Sequence, residues 1–184
     1  MKLIKKVEKY AKENLNELNY EHSQLVRKIA KKLAKKENAN LEVVEIAALL
    51  HDIAREKDGD HHIAGKEIAK EQLQKMGADQ AMIDSVSHCI EAHSMKTVHP
   101  DLLRPQTIEA KVLFEADMIN LMSPFGIVKM MYKSAKKDAG FLASIEEAKK
   151  ISEAAYSELQ SENGKKFAEK YWKLNQKFFK LISG

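Results

Sequence analysis

The chain has 184 residues, a length that suits one domain able to close its own core without disulfides or a structural metal. Thirty-one Lys and Arg against 27 Asp and Glu leave a net charge of +4, too small and too dispersed for a nucleic-acid groove, and only Arg27, Arg55 and Arg104 are arginine. The lone Cys89 excludes an internal disulfide and fits a reducing compartment, while most of the seven histidines crowd the middle of the chain.

The opening MKLIKKVEKYAKENL carries lysine and glutamate throughout, so it reads as an amphipathic helix and not as a signal peptide. A 3.6-residue apolar period then persists along almost the whole chain. It predicts helices over 2–17, 21–36, 41–57, 61–76, 79–93, 105–121 and 124–136. A C-terminal hairpin, or two helices broken at Asn163-Gly164, is expected over 144–181. Asn38 to Asn40, Asp58-Gly59-Asp60 and Gly77 before Asp79 are the punctuating residues. The longest irregular piece is Met95 to Pro105. No strand signal, internal repeat or linker interrupts the pattern, and no apolar run approaches the roughly 18 residues that span a bilayer. The expectation is an all-α, single-domain, cytoplasmic protein with no membrane partner, its core over about 20–132 and C-terminal helices over 141–184.

Polar residues on apolar faces are costly unless something satisfies them. His22 heads a stripe with Leu25, Val26, Ile29 and Leu33. Taken alone, it could be an ordinary core histidine. His51-Asp52 sits in LEVVEIAALLHDIARE, one of the most apolar windows of the chain. Adjacent helical residues differ by about 100° in direction, so both side chains could reach one ion beside the helix. Asp117 shares its face with Ala110, Leu113, Phe114 and Leu121, where a carboxylate needs a cation or several donors. Two imidazoles and two carboxylates directed inward suit a divalent ion: Mn²⁺, Fe²⁺, Co²⁺, Ni²⁺, Zn²⁺ or Mg²⁺. Such a site keeps positions open for water and a substrate oxygen, which hydrolysis requires.

A histidine, then His51-Asp52 in AALLHDIAR, then an aspartate in EAKVLFEADMIN resembles the HD-domain metal-dependent phosphohydrolase superfamily, and within it the small bacterial and archaeal hydrolases. The likeness runs from about Tyr20 to Tyr132 and includes SHCIEAHS (Ser87 to Ser94), PQTIEAKVLFEAD and a GIVK-like stretch. It implies an all-α bundle in which His22, His51, Asp52 and Asp117 hold the metal. Asp52 also orients the attacking water. The implied reaction is hydrolysis of a phosphate ester or anhydride, with a nucleotide or similar small phosphate compound as substrate. Arg55, three residues past the HD aspartate, takes the place of a basic residue in many relatives and is a candidate phosphate clamp; a surface ion pair with Glu56 or Asp58 is the plainer alternative. One departure is clear: relatives show Asp-Ala-Asp followed by a basic residue and leucine, whereas this chain has Glu115-Ala116-Asp117 followed by Met118-Ile119. That departure suits an alternative reading, a catalytically degenerate module that binds metal or nucleotide as a sensor or docking domain.

Binuclear members of that superfamily place further histidines after the HD pair. A gapless match of His-x-x-x-Gly to Gly65 picks His61, and a one-residue slip picks His62. His88 and His93 are five apart and share no face of a regular helix, so both could serve only if the helix ends or bends near Ala92. His93 ranks above His88 as a residue of a second metal or of its surroundings, and His99 reads as solvated. Phe167, Tyr171, Leu174, Phe178 and Leu181 follow near-heptad spacing, which packs on the same domain more often than it makes a homodimer.

Overall fold

The computed structural model describes residues 2–57, 60–95, 101, 103–137 and 140–182. Among these the architecture is all-α, without a strand. The helices are α1 (Leu3–Asn14), α2 (Glu17–Glu37), α3 (Leu41–Leu50), α4 (His61–Lys75), α5 (Gln80–Glu91), α6 (Ile108–Met122), α7 (Pro124–Ala135), α8 (Phe141–Ser157) and α9 (Glu162–Ile182). The chain divides into two compact units, Met1–Ala116 and Asp117–Gly184, with the division falling inside α6.

In the first unit α3 is the central element, packed by α1, α2 and α5, while α4 packs on α5. Its composition explains this. Every residue from Val43 to Leu50 is buried, and only Glu45 among them is charged. Ile46, Leu49 and Leu50 each gain about 1.5–3 kcal/mol on burial, which offsets the cost of the polar residues that follow them. Glu45 is held by Arg27 at 2.8 Å and Lys31 at 2.9 Å, and Arg27 also reaches Glu8 at 2.9 Å. One of the three arginines is thus committed to tying α1, α2 and α3 together.

The helix expected over 41–57 ends at Leu50. Beyond it the amides of Ile53, Arg55 and Lys57 donate to the carbonyls of Leu50, Asp52 and Ala54, an i to i−3 pattern tighter than an α-helix. His51-Asp52 therefore stands in a tightened turn at the end of the most buried helix, and not within its regular part.

Other boundaries shift for capping reasons. The first helix stops at Asn14 because the Asn16 side chain accepts from Asn19 N–H and starts α2 at Glu17. The helix expected from 105 begins at Ile108, where Thr107 Oγ1 accepts from Ala110 N–H. The expected break at Asn163-Gly164 falls instead at Glu158–Ser161, because Ser161 Oγ accepts from Gly164 N–H and draws Asn163 and Gly164 into the first turn of α9. Gly77, with φ +83°, ends α4 as expected. The Asp58-Gly59 break and most of the Met95 to Pro105 piece, His99 included, lie outside the described residues.

The second unit closes on Ile127, Ile145, Ala148 and Phe179, with Met130 and Met131 against them. At Gly126 a Cβ would stand 2.2 Å from Asn120 O and 2.4 Å from Leu121 O, so α7 can follow α6 this closely only through glycine. Tyr156 stacks on Trp172 with ring centroids 4.3 Å apart. The face that α9 buries is Gly164, Ala168, Asn175 and Phe179. This corrects the expected stripe: Leu174, Phe178 and Leu181 are exposed. Small residues permit close approach, and Asn175 is drawn inward by hydrogen bonds to Met122 O at 2.9 Å and Ser152 Oγ at 2.8 Å.

Candidate metal centre

Four elements of the first unit deliver side chains around Asp52. His22 comes from α2, His51 and Asp52 from the turn after α3, His61 and His62 from the first turn of α4, and His93 from just past the end of α5. The α4 turn is pinned by Asp60, whose Oδ1 accepts from the N–H groups of His62 and Ile63. His22, His51, Asp52, His62 and His93 are each at most 3% exposed.

The two oxygens of Asp52 face different partners. Oδ2 lies 3.6 Å from His22 Nε2 and 3.9 Å from His51 Nε2, and these two ring nitrogens are 3.2 Å apart. Oδ1 lies 3.8 Å from His93 Nε2, 3.9 Å from His61 Nε2 and 3.7 Å from Arg55 Nη1. The carboxylate thus has one oxygen toward each of two sets of donors.

Hydrogen bonds to the rings decide which nitrogen carries the hydrogen and which faces Asp52. A backbone carbonyl only accepts, so His51 Nδ1–H donates to Ala48 O at 2.9 Å, and His93 Nδ1–H donates to Ile90 O. Both rings then turn a bare Nε2 toward Asp52, as metal-ligating histidines do when a carbonyl holds the other nitrogen. Arg55 is a donor only, and its Nη1–H donates to His61 Nε2. Burial first, then the Arg55 guanidinium and His93, push the His61 imidazole from 6.5 down to about 4, against the opposing pull of Asp52 and Asp60. His61 is therefore neutral at physiological pH, the form a metal requires.

The donor set fits a divalent cation. Two nitrogens each about 2.1 Å from one ion stand roughly 3.0–3.4 Å apart, and His22 Nε2 and His51 Nε2 match that separation. His51, Asp52 and His93 form one group whose ligand atoms lie within 4.8 Å of one another, and His61, His62 and His93 form another. Imidazole nitrogens with a carboxylate suit Mn²⁺, Fe²⁺, Co²⁺, Ni²⁺ or Zn²⁺ on chemical grounds.

The ambiguity between His61 and His62 resolves into two placements. His61 faces Asp52, whereas His62 Nδ1 lies 3.3 Å from His93 Nδ1. The pair at 88 and 93 separates as well: α5 ends at Glu91, which frees His93 to face Asp52, while His88 Nε2 accepts from Gln106 N–H at 3.0 Å. Arg55 pairs with Asp52 and His61, and Glu56 accepts from Asn19 Nδ2 at 2.7 Å. Asp117, on α6, is buried and is the first residue of the second unit. No residue of the centre lay beyond the reach of sequence reasoning. What the sequence did not reveal is its support: the Ala48 and Ile90 carbonyls, and Asn19 beneath Glu56.

Residues 19–122 match the HD domain family. A bifunctional uridylyltransferase/uridylyl-removing enzyme of Erythrobacter litoralis is 38% identical over 96 residues, half of this chain but a tenth of that protein. Bacillus subtilis YpgQ is 29% identical over 119 residues, 64% of this chain and 58% of YpgQ. The crystal structure of B. subtilis YpgQ in complex with ADP superposes with a TM-score of 0.79 at 21% identity, covering 97% of this chain and 92% of that one. An HD-superfamily hydrolase of Bacillus thuringiensis superposes with a TM-score of 0.72 at 19% identity, covering 98% and 94%. The structural likenesses speak to the fold. The family match spans more than half of the chain and includes His22, His51, Asp52, His61 and His93, and the chain belongs to the HD domain family.

Proposed function

We propose that this protein is a metal-dependent phosphohydrolase that cleaves an ester or anhydride of a nucleotide or another small phosphate compound. The observation that carries the reading is the orientation of the buried rings around Asp52. His51 and His93 each spend Nδ1–H on a backbone carbonyl and present a bare Nε2 to opposite oxygens of one carboxylate. A divalent cation held between these lone pairs and the carboxylate would offset the cost of burying Asp52 among them.

In this reading His22, His51 and Asp52 hold the ion, joined by Asp117 as the resemblance implies; at the Oδ1 end of Asp52 a second ion would be held by His93, and by His61 once Arg55 turns from its Nε2 toward phosphate. The cation would supply Lewis-acid polarisation of the phosphoryl oxygen and a lowered pKa for its water. The rest falls to the protein's own groups. Asp52 orients the attacking water through an oxygen that no covalent step consumes. The near-complete burial of His51 and His93 keeps bulk water from competing for the donors. Arg55, 41% exposed at the side chain, is placed to pair with phosphoryl oxygens and to offset charge that develops on them. The nucleotide preference rests on the likeness to YpgQ, a protein crystallised with ADP. We place the protein in the cytoplasm on its single cysteine, which suits a reducing compartment.

Metal analysis of the purified protein, with phosphate release measured over a nucleotide panel on the same sample, tests the reading. Divalent-metal-dependent release is expected, falling more than ~100-fold in both His51→Ala and Asp52→Ala, beyond what loss of a supporting partner costs. Activity retained in both variants overturns it. The second reading, a degenerate module that senses or docks, is favoured by the Glu115-Ala116-Asp117-Met118 departure, and nucleotide binding without turnover across the metal panel selects it.

A further inference from the structure

His62 meets the histidine cluster through His93. It is 1% exposed, its Nδ1 lies 3.3 Å from His93 Nδ1, and the two rings are tilted with centroids 4.4 Å apart. His93 Nδ1 is already bound to the Ile90 carbonyl, so it carries the hydrogen. His62 Nδ1 must then be the acceptor of the same N–H, with its own hydrogen on Nε2. His93 follows α5, which ends at Glu91, and no longer has helix on its C-terminal side to fix its side chain.

We infer that His62 is a positioning residue: its bare Nδ1, together with the Ile90 carbonyl, holds the His93 ring in the Nδ1–H tautomer and aims Nε2 at Asp52 Oδ1. The role rests on the cation-binding reading of the Asp52 centre, though the tautomer exists without any ion. The chain's own constraints explain why the work divides between neighbours. His61 and His62 are adjacent on α4 and point about 100° apart, so one turn pinned by Asp60 supplies a ring facing Asp52 and a ring behind the one that Asp52 faces. The rings of His61 and His62 lie 3.7 Å apart, which locks the two orientations together.

The test uses the full chain in two states. In metal-free protein, two-bond ¹⁵N–¹H correlation spectra of the imidazoles report which nitrogen of His93 carries the proton. The wild type is expected to show the Nδ1–H tautomer alone. His62→Phe keeps an aromatic ring and removes the second acceptor; with the Ile90 carbonyl alone left to hold Nδ1–H, the His93 ring is expected to turn and admit an Nε2–H population beside the Nδ1–H one. His62→Asn restores an acceptor near the same place and is expected to restore the single tautomer. Co²⁺ titration followed by visible absorption is then expected to show a 10–100-fold weaker affinity in His62→Phe at unchanged stoichiometry, with recovery in His62→Asn. A single Nδ1–H tautomer in a folded His62→Phe overturns the inference. So does the loss of one equivalent of bound Co²⁺, which would make His62 a ligand. Wild-type protein that binds no cation defeats the functional reading and leaves the tautomer result to stand by itself.

Discussion

The two units each hold a buried polar cluster, and the two clusters are satisfied in opposite ways. In the second, the Asn175 amide donates to Met122 O and to Ser152 Oγ, and Ser123 Oγ donates to Asn120 O. Donor meets neutral acceptor, and the interactions close locally. In the first, four imidazoles and a guanidinium surround the two oxygens of Asp52, and the rings with a carbonyl behind them offer lone pairs to a carboxylate. The Asn175 pattern is how a core tolerates polar groups; the Asp52 pattern is one that could hold a cation. Burial alone does not separate structure from function. The direction of the hydrogens does.

The largest difference between the units is expected in acid. His61 in the folded chain titrates at about 4, below its ordinary 6.5, so between those values the unfolded chain binds a proton that the folded chain refuses. The stability that His61 contributes is intact above about pH 6.5 and is lost as pH falls toward 4. Solvent screening at this partly exposed ring reduces the linked effect to about 1–2 kcal/mol. Urea unfolding of chelator-treated protein at steps from pH 7 to 4 should show this slope, and His61→Gln should flatten it. An equal slope in both proteins would assign the acid sensitivity elsewhere. The neutral Asn175 and Ser152 of the second unit contribute nothing to it.

Asn175→Leu should give the reverse pattern. It keeps the volume but leaves the Met122 carbonyl and the Ser152 hydroxyl without this donor, at a cost of about 2 kcal/mol. Thermal unfolding should register the loss, while metal content per folded chain stays at the wild-type value. A stable variant depleted of metal would erase the distinction between the two patterns.

How far each pattern could be read from the sequence follows from the same physics. The all-α architecture and most helix bounds were legible because a 3.6-residue period is local. So were His22 and His51-Asp52, because polar residues on an apolar face announce a cost. What was not legible depended on backbone hydrogen bonds. The tightening after Leu50 takes the HD pair out of the regular helix, and periodicity carries no trace of an i to i−3 bond. The choice between His61 and His62 hangs on where α4 begins, a matter of Asp60 capping, and one residue of slip exchanges their roles. His88 and His93 separate only because α5 stops at Glu91. In α9 the large apolar residues suggested a packed stripe, but hydrogen bonds to Asn175 and small residues at 164 and 168 decided which face is buried.

Arg55 provides the finest division within the first unit, since it touches the centre while remaining partly in solvent. Its Nη1 lies 3.7 Å from Asp52 Oδ1 and donates to His61 Nε2. Two consequences of Arg55→Gln can be separated. The guanidinium is the second cause, after burial, of the depressed His61 titration, so removing it should move the His61 midpoint part of the way back toward 6.5, which imidazole ¹H shifts would follow. As a phosphate clamp, Arg55 should also contribute to substrate binding. KM for the best nucleotide is then expected to rise about tenfold, or ~1.4 kcal/mol, with kcat little changed. Lysine should restore the His61 midpoint more fully than KM, because a point charge replaces the field of arginine but not its planar fork. An Arg55→Gln enzyme with a shifted His61 and an unchanged KM would reduce Arg55 to an electrostatic neighbour of the centre, and the phosphate-binding charge would have to come from another cation.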